Sequence, residues 1–89
     1  MKIKPNTYYK RYYTKYIILY PSFGYDIIYT GNKHVYIIAH KYNNEPLYKY
    51  DHKVKSGSIK EFQEYIKHLD KRKYIVEEIS NEDLFLEML

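Results

Sequence analysis

The sequence predicts an α+β domain: a three- to five-stranded, mostly antiparallel sheet packed by one main helix and a short C-terminal helix. Three observations predict it. Two strand-length runs, Tyr25 to Thr30 and His34 to His40, flank the hairpin signal Gly31-Asn32. Ser58-Ile59-Lys60-Glu61 is a capping box opening a helix whose Ile59, Phe62, Ile66 and Leu69 fall on one stripe. A further strand-length run, Tyr74 to Ile79, precedes a second capping signature, Ser80 to Asp83. The 89 residues fit one domain, 1–89, with a basic, tyrosine-rich N-terminal segment over 1–15.

Taken in order, Pro5 disfavours helix through Lys4. Tyr8, Tyr9, Tyr12 and Tyr13 then repeat at i, i+1, i+4 and i+5, the spacing of a helical stripe, so a short helix is expected from about Thr7 to Lys15. Tyr16 to Tyr20 (YIILY) is a continuous apolar run suited to a strand covered on both faces. Pro21 to Gly24 is a turn. In the next strand Tyr25, Ile27 and Tyr29 point one way, Asp26 and Ile28 the other. His34 to His40 is the third strand and Tyr42 to Pro46 a loop. Leu47 to His52 alternates Tyr48 and Tyr50 against Lys49 and Asp51, as a half-exposed edge strand does. Lys53 to Gly57 reads as a loop, and the capping-box helix is expected to run to about Asp70, with Lys71-Arg72-Lys73 complementing its C-terminal dipole.

Composition narrows the chemistry. Without cysteine there is no disulfide, thiolate zinc site or thiol nucleophile. No apolar run approaches the ~18–20 residues that span a bilayer. The charged, aromatic N-terminus does not read as a secretory signal. No membrane partner is expected, and the cytoplasm is the expected compartment (the host's, if the protein is viral). Net charge is +4 but uneven: residues 1–57 hold ten Lys or Arg against three acids, and residues 58–89 five against eight. Fourteen tyrosines with abundant Lys, Ile and Asn point to an AT-rich gene, as in low-GC bacteria, their phages and mobile elements, or some viruses. Part of the tyrosine excess then follows from codons. The two arginines argue against extensive bidentate base reading.

His34 and His40 lie six apart on one strand face, roughly 20 Å by strand rise, too far to share a metal. No Glu-x-Lys triplet accompanies Asp26 or Asp51, as a metal nuclease would need. Ser58 and Ser80 serve as caps, and no phosphate-cradling glycine loop occurs. No catalytic residue, metal or cofactor is therefore expected, and the protein reads as a binding protein and not an enzyme. The candidate nucleic-acid site is Tyr8, Tyr9, Lys10, Arg11, Tyr12, Tyr13 and Lys15, where cations that neutralise phosphates interleave with rings that stack on bases. The alternative is that these rings cover the sheet while the lysines snorkel outward. Leu84, Phe85, Met88 and Leu89 form a candidate partner interface, with packing onto the sheet as the alternative.

Tyr16 to Tyr29 (YIILYPSFGYDIIY), the helix Ile59 to Leu69 and Lys73 to Ser80 (KYIVEEIS) together resemble the N-terminal mismatch-reading domain of the DNA repair protein MutS. In that family a Phe-x-Glu motif reads the mismatch; here Tyr25 stands for the Phe and Ile27 for the Glu, so the acid is missing. The family's helix after the first strands is also replaced, by Gly31-Asn32 and a strand. The resemblance implies an α/β scaffold in a nucleic-acid setting.

The expectation is a small binding protein of a phage, virus or mobile element, acting on nucleic acid or on a host nucleic-acid machine, for instance as an inhibitor of a defence nuclease. The alternatives are a protein-interaction or homodimer module and a degenerate nuclease-like or MutS-like DNA-binding domain.

Overall fold

A computed structural model describes residues 1–13, 24–42 and 45–89. Its elements are β1 (Thr7–Tyr13), β2 (Gly24–Thr30), β3 (His34–Tyr42), β4 (Tyr48–Ser58), α1 (Ile59–Lys67), β5 (Tyr74–Ile79) and α2 (Asn81–Met88). The strands form one sheet in the order β4-β3-β2-β1-β5, and every neighbouring pair is antiparallel. The α+β class is as the sequence predicts. The expected strand Tyr16 to Tyr20 and most of the turn after it lie outside the described residues.

The first correction concerns residues 7–13. They are a strand and not the start of a helix. The tyrosine spacing fits a helical stripe, but Thr and Tyr are strand formers, and the segment is paired along both edges, with β2 and β5. On an alternating backbone Tyr9 and Arg11 face one side of the sheet and Tyr8, Lys10 and Tyr12 the other. Just before the strand, Asn6 takes a left-handed conformation (φ 52°), which asparagine tolerates, and its N–H bonds the Gly31 carbonyl at 3.2 Å.

The β2–β3 hairpin turns one residue later than Gly31-Asn32 suggests. The Gly31 N–H bonds the His34 carbonyl at 2.8 Å, leaving Asn32-Lys33 as the two-residue tip. Tyr29 consequently lies opposite Tyr36, and Thr30 opposite Val35. A bulge between Ile37 and Ala39 then changes the parity of β3. It sets His40 on the face of Val35, so His34 and His40 face opposite sides and not the same one.

The second correction lengthens β4, which runs on through the expected loop to Ser58. Its polar residues suit an edge strand, where one backbone edge meets water and lysines discourage further pairing. Gly57 (φ 138°) makes the sharp entry into α1, a conformation side chains rarely adopt. The capping box is present in full: Ser58 Oγ accepts from Glu61 N at 3.0 Å, and Ser58 N–H donates to Glu61 Oε1 at 3.3 Å. The helix ends at Lys67, short of Asp70, because Asp70 instead builds the next turn, accepting from Arg72 N at 3.0 Å. β5 has the bounds the sequence predicts.

α1 carries the chain from one sheet edge to the other and covers one face. Its stripe is the expected one: Phe62 is buried, and Ile59, Ile66 and Leu69 pack around a core of Ile3, Tyr9, Ile28, Val35 and Val76. Tyr9 meets Phe62 edge to face at 6.2 Å between ring centres. α2 begins at the expected cap, with Ser80 Oγ accepting from Asp83 N at 3.1 Å, and lies on the opposite face, where Glu87 reaches Lys10 at 2.9 Å.

Candidate nucleic-acid interface

The α2 side of the sheet carries one row of register partners across all five strands: Ile79, Tyr8, Tyr29, Tyr36 and Lys55. Three neighbouring strands thus place three tyrosines side by side. Tyr8 and Tyr29 approach to 4.8 Å between ring centres, tilted by 39°. Lys53, two residues along the same face from Lys55, holds its ammonium 4.7 Å from the Tyr29 ring centre and 5.7 Å from that of Tyr36. These are cation–π distances. All three rings are half-buried, while Lys53 and Lys55 are exposed. Neither lysine has an ion pair among the described residues. At the middle of the row the Tyr29 hydroxyl donates to Asn6 Oδ1 at 3.4 Å, and Asn6 in turn donates to Asn32 Oδ1 at 3.1 Å. The result is a set of aromatic surfaces beside uncompensated positive charge.

The residues singled out in the sequence are divided by the strand. Tyr8 belongs to the row. Tyr9 is buried in the core, 1% exposed, with its hydroxyl accepting from Lys4 N at 2.9 Å. Arg11 faces α1, paired with Asp26 at 2.8 Å and lying over the Tyr65 ring at 5.8 Å. Burial lowers the Arg11 pKa, but the hydrogen bond and charge of Asp26, with Tyr65, outweigh it and leave it raised. Lys10 and Tyr12 share the α2 face but are engaged: Lys10 pairs with Glu87 and lies 4.1 Å from the Tyr25 ring centre, and the Tyr12 hydroxyl donates to Glu77 at 3.4 Å. Tyr13 ends β1 opposite Tyr74, and Lys15 lies outside the described residues. Those whose side chains are described therefore do not form one surface. Tyr29, Tyr36, Lys53 and Lys55, which complete the row, are 21 or more residues from Tyr8 in the chain.

Around Glu87 the electrostatics are specific. The Tyr25 hydroxyl donates to its carboxylate. That bond, with Lys10 and Lys41, holds the Glu87 pKa below its ordinary value despite partial burial. Partial burial and the same carboxylate push the Tyr25 phenol well above its usual value. Tyr25 is thus bonded to α2, and Ile27, two residues on, is fully buried. Of the candidate interface, Leu84 and Met88 turn toward the sheet and are half-buried, whereas Phe85 and Leu89 are 64% and 84% exposed, joined by Leu86 at 60%.

On the α1 face His40 sits between Tyr48, stacked at 5.2 Å, and the Tyr50 hydroxyl, 3.1 Å from Nδ1. Asp26, its register partner, is held by Arg11. No group of three or more His, Cys, Asp or Glu able to hold a metal lies among the described residues. No helix among them is long and apolar enough to cross a membrane. No protein-family model matches the chain, nor does any curated protein or solved structure.

Proposed function

We propose that the protein binds single-stranded nucleic acid across the tyrosine row of the sheet. The observation that carries this reading is the alignment of Tyr8, Tyr29 and Tyr36 on adjacent strands with Lys53 and Lys55 beside them. Bases unstacked from a single strand can lie on such rings, at ~1–3 kcal/mol per base, while lysines follow the phosphates. Base-edge reading plays little part, because Arg11 is committed to Asp26. The same face could serve a protein of a phage, virus or mobile element that acts on a host nucleic-acid machine; composition alone supports that narrower role, and an inhibitor role with it.

The test is fluorescence anisotropy with labelled single-stranded DNA, RNA and duplex across ~50–300 mM salt. Single strands are expected to bind more tightly than duplex. Tyr29→Ala and Tyr36→Ala should each weaken binding roughly 5- to 150-fold, the equivalent of one stacked base. Lys53→Ala and Lys55→Ala should each flatten the salt dependence by the contribution of about one phosphate contact. Absence of binding by all three ligands, or binding indifferent to the two tyrosines, would refute the reading.

A further inference from the structure

Two features of the molecule lie outside the tyrosine row, and each has what the other lacks. The first is the outer side of α2. Glu82, Phe85, Leu86 and Leu89 recur at i, i+3, i+4 and i+7, one stripe of a helix, and the three apolar members are 64%, 60% and 84% exposed. α2 carries acids in its first turn and no basic residue in its last. The second is a cavity of about 610 Å³ between the C-terminal half of α1 and β5, with Ile66, Leu69 and Val76 at its base and Lys67 and Lys71 at its rim. Neither lysine has an ion pair among the described residues. The volume lies within the ~300–1,000 Å³ of cavities that take ligand-sized groups.

We infer that the outer stripe of α2 from one copy of this chain seats in the α1–β5 groove of a second copy. Phe85, Leu86 and Leu89 are anchors at the spacing an amphipathic helix uses to enter an apolar groove. Glu82 and Asp83 meet the lysines of the rim, so charge as well as shape selects this helix. Within one chain the two features stay apart: Glu87 and the half-buried Leu84 and Met88 hold the inner side of α2 to the sheet face opposite α1, and the stripe points outward. Stripe and groove lie on opposite sides of the sheet, so the contact is head to tail: each copy gives its stripe to one neighbour and its groove to another, and association continues past a dimer.

Sedimentation velocity on the full chain, from ~1 to ~200 μM without nucleic acid, tests this independently of the binding proposal; the range brackets the micromolar affinities of small interfaces. The weight-average mass should rise from 11.0 kDa to and beyond twice that value as concentration increases. Phe85→Glu, at an exposed position that folding does not need, should weaken association about 30-fold or more, as loss of a central anchor does. The decisive arm is charge reversal. Lys67→Glu/Lys71→Glu and Glu82→Lys/Asp83→Lys should each be monomeric alone, yet associate when combined, because the mixture restores native and reversed contacts in alternation. A monomer throughout the range, growth that stops at a dimer, association insensitive to both reversals, or failure of the mixture to associate would each overturn the proposal.

Discussion

Thr30 is fully buried on the α1 face, and its hydroxyl carries three interactions at once. Oγ1 accepts from Thr7 N at 3.0 Å and donates to a carbonyl, with Lys4 O at 2.6 Å and Thr7 O at 3.2 Å both in reach. It therefore ties the segment before β1 to the end of β2. Thr30→Val keeps the shape and removes the hydroxyl, leaving the Thr7 N–H and the Lys4 carbonyl without this partner. Each half-buried group so stranded costs ~1–3 kcal/mol, offset by the relief of no longer burying the hydroxyl itself, so a net loss of ~2 kcal/mol is expected. For a domain of this size that lowers Tm by roughly 8–16 °C. Thr30→Ser supplies the control: it keeps the hydroxyl and loses one buried methyl, a change worth ~1 kcal/mol. Urea unfolding followed by far-UV circular dichroism should rank wild type above Ser and Ser above Val, with an unchanged m-value. A valine variant as stable as wild type, or more stable than the serine variant, would show that the methyl and not the hydroxyl network holds this corner.

Acid should loosen α2. Because the Glu87 pKa is lower in the folded chain than in the unfolded one, its contact stabilises fully above the unfolded value of ~4.3 and is lost as pH falls through the folded value. NMR titration of the Glu87 side chain should show a midpoint below that of an ordinary glutamate, and Lys10→Ala should raise it; an ordinary midpoint would contradict the Tyr25–Glu87–Lys10 arrangement. At the head of α1, Ser58→Ala removes the capping acceptor of Glu61 N and should cost ~1 kcal/mol in thermal or urea unfolding, whereas Ser58→Asp, which can still cap, should cost little; equal losses would mean that the box contributes nothing.

Local signals in the sequence were legible where the chemistry was local. The two serine caps, the stripe from Ile59 to Leu69 and the bounds of β5 follow from residues within a few positions of one another. β1 was not legible in this way, since its tyrosine spacing fits a helical stripe while its residue types favour a strand, and pairing with β2 and β5 decides between them. The extension of β4 escaped for a related reason: Lys53 to Gly57 reads as a loop until β3 supplies the ladder. The tyrosine row depends on register. Placing the hairpin tip at Gly31-Asn32 would set Tyr29 against His34; moving the tip one residue on sets it against Tyr36. Alternation within β2 was already legible, so the missing quantity was a single residue of loop position, which decides what every later residue of β3 opposes.

Charge shows why a basic stretch of sequence need not become a basic surface. Before folding, the first fifteen residues hold five cations and no acid. Folding pairs β1 with β5 and returns α2 across the sheet, so Lys4 meets Glu78, Lys10 meets Glu87 and Arg11 meets Asp26. Three of the five are thereby compensated, two of them by the acidic second part of the chain. Positive charge without a carboxylate partner among the described residues appears instead at Lys53 and Lys55 on the exposed edge strand, beside rings contributed by three other strands. Truncating Lys10 and Arg11 consequently tests folding as much as binding, because each loss strands a carboxylate that is less than one-third exposed. Truncating Lys53 and Lys55 removes cations that hold no carboxylate. If the row binds phosphates, the β4 pair should change affinity at constant stability, and the β1 pair should change stability first.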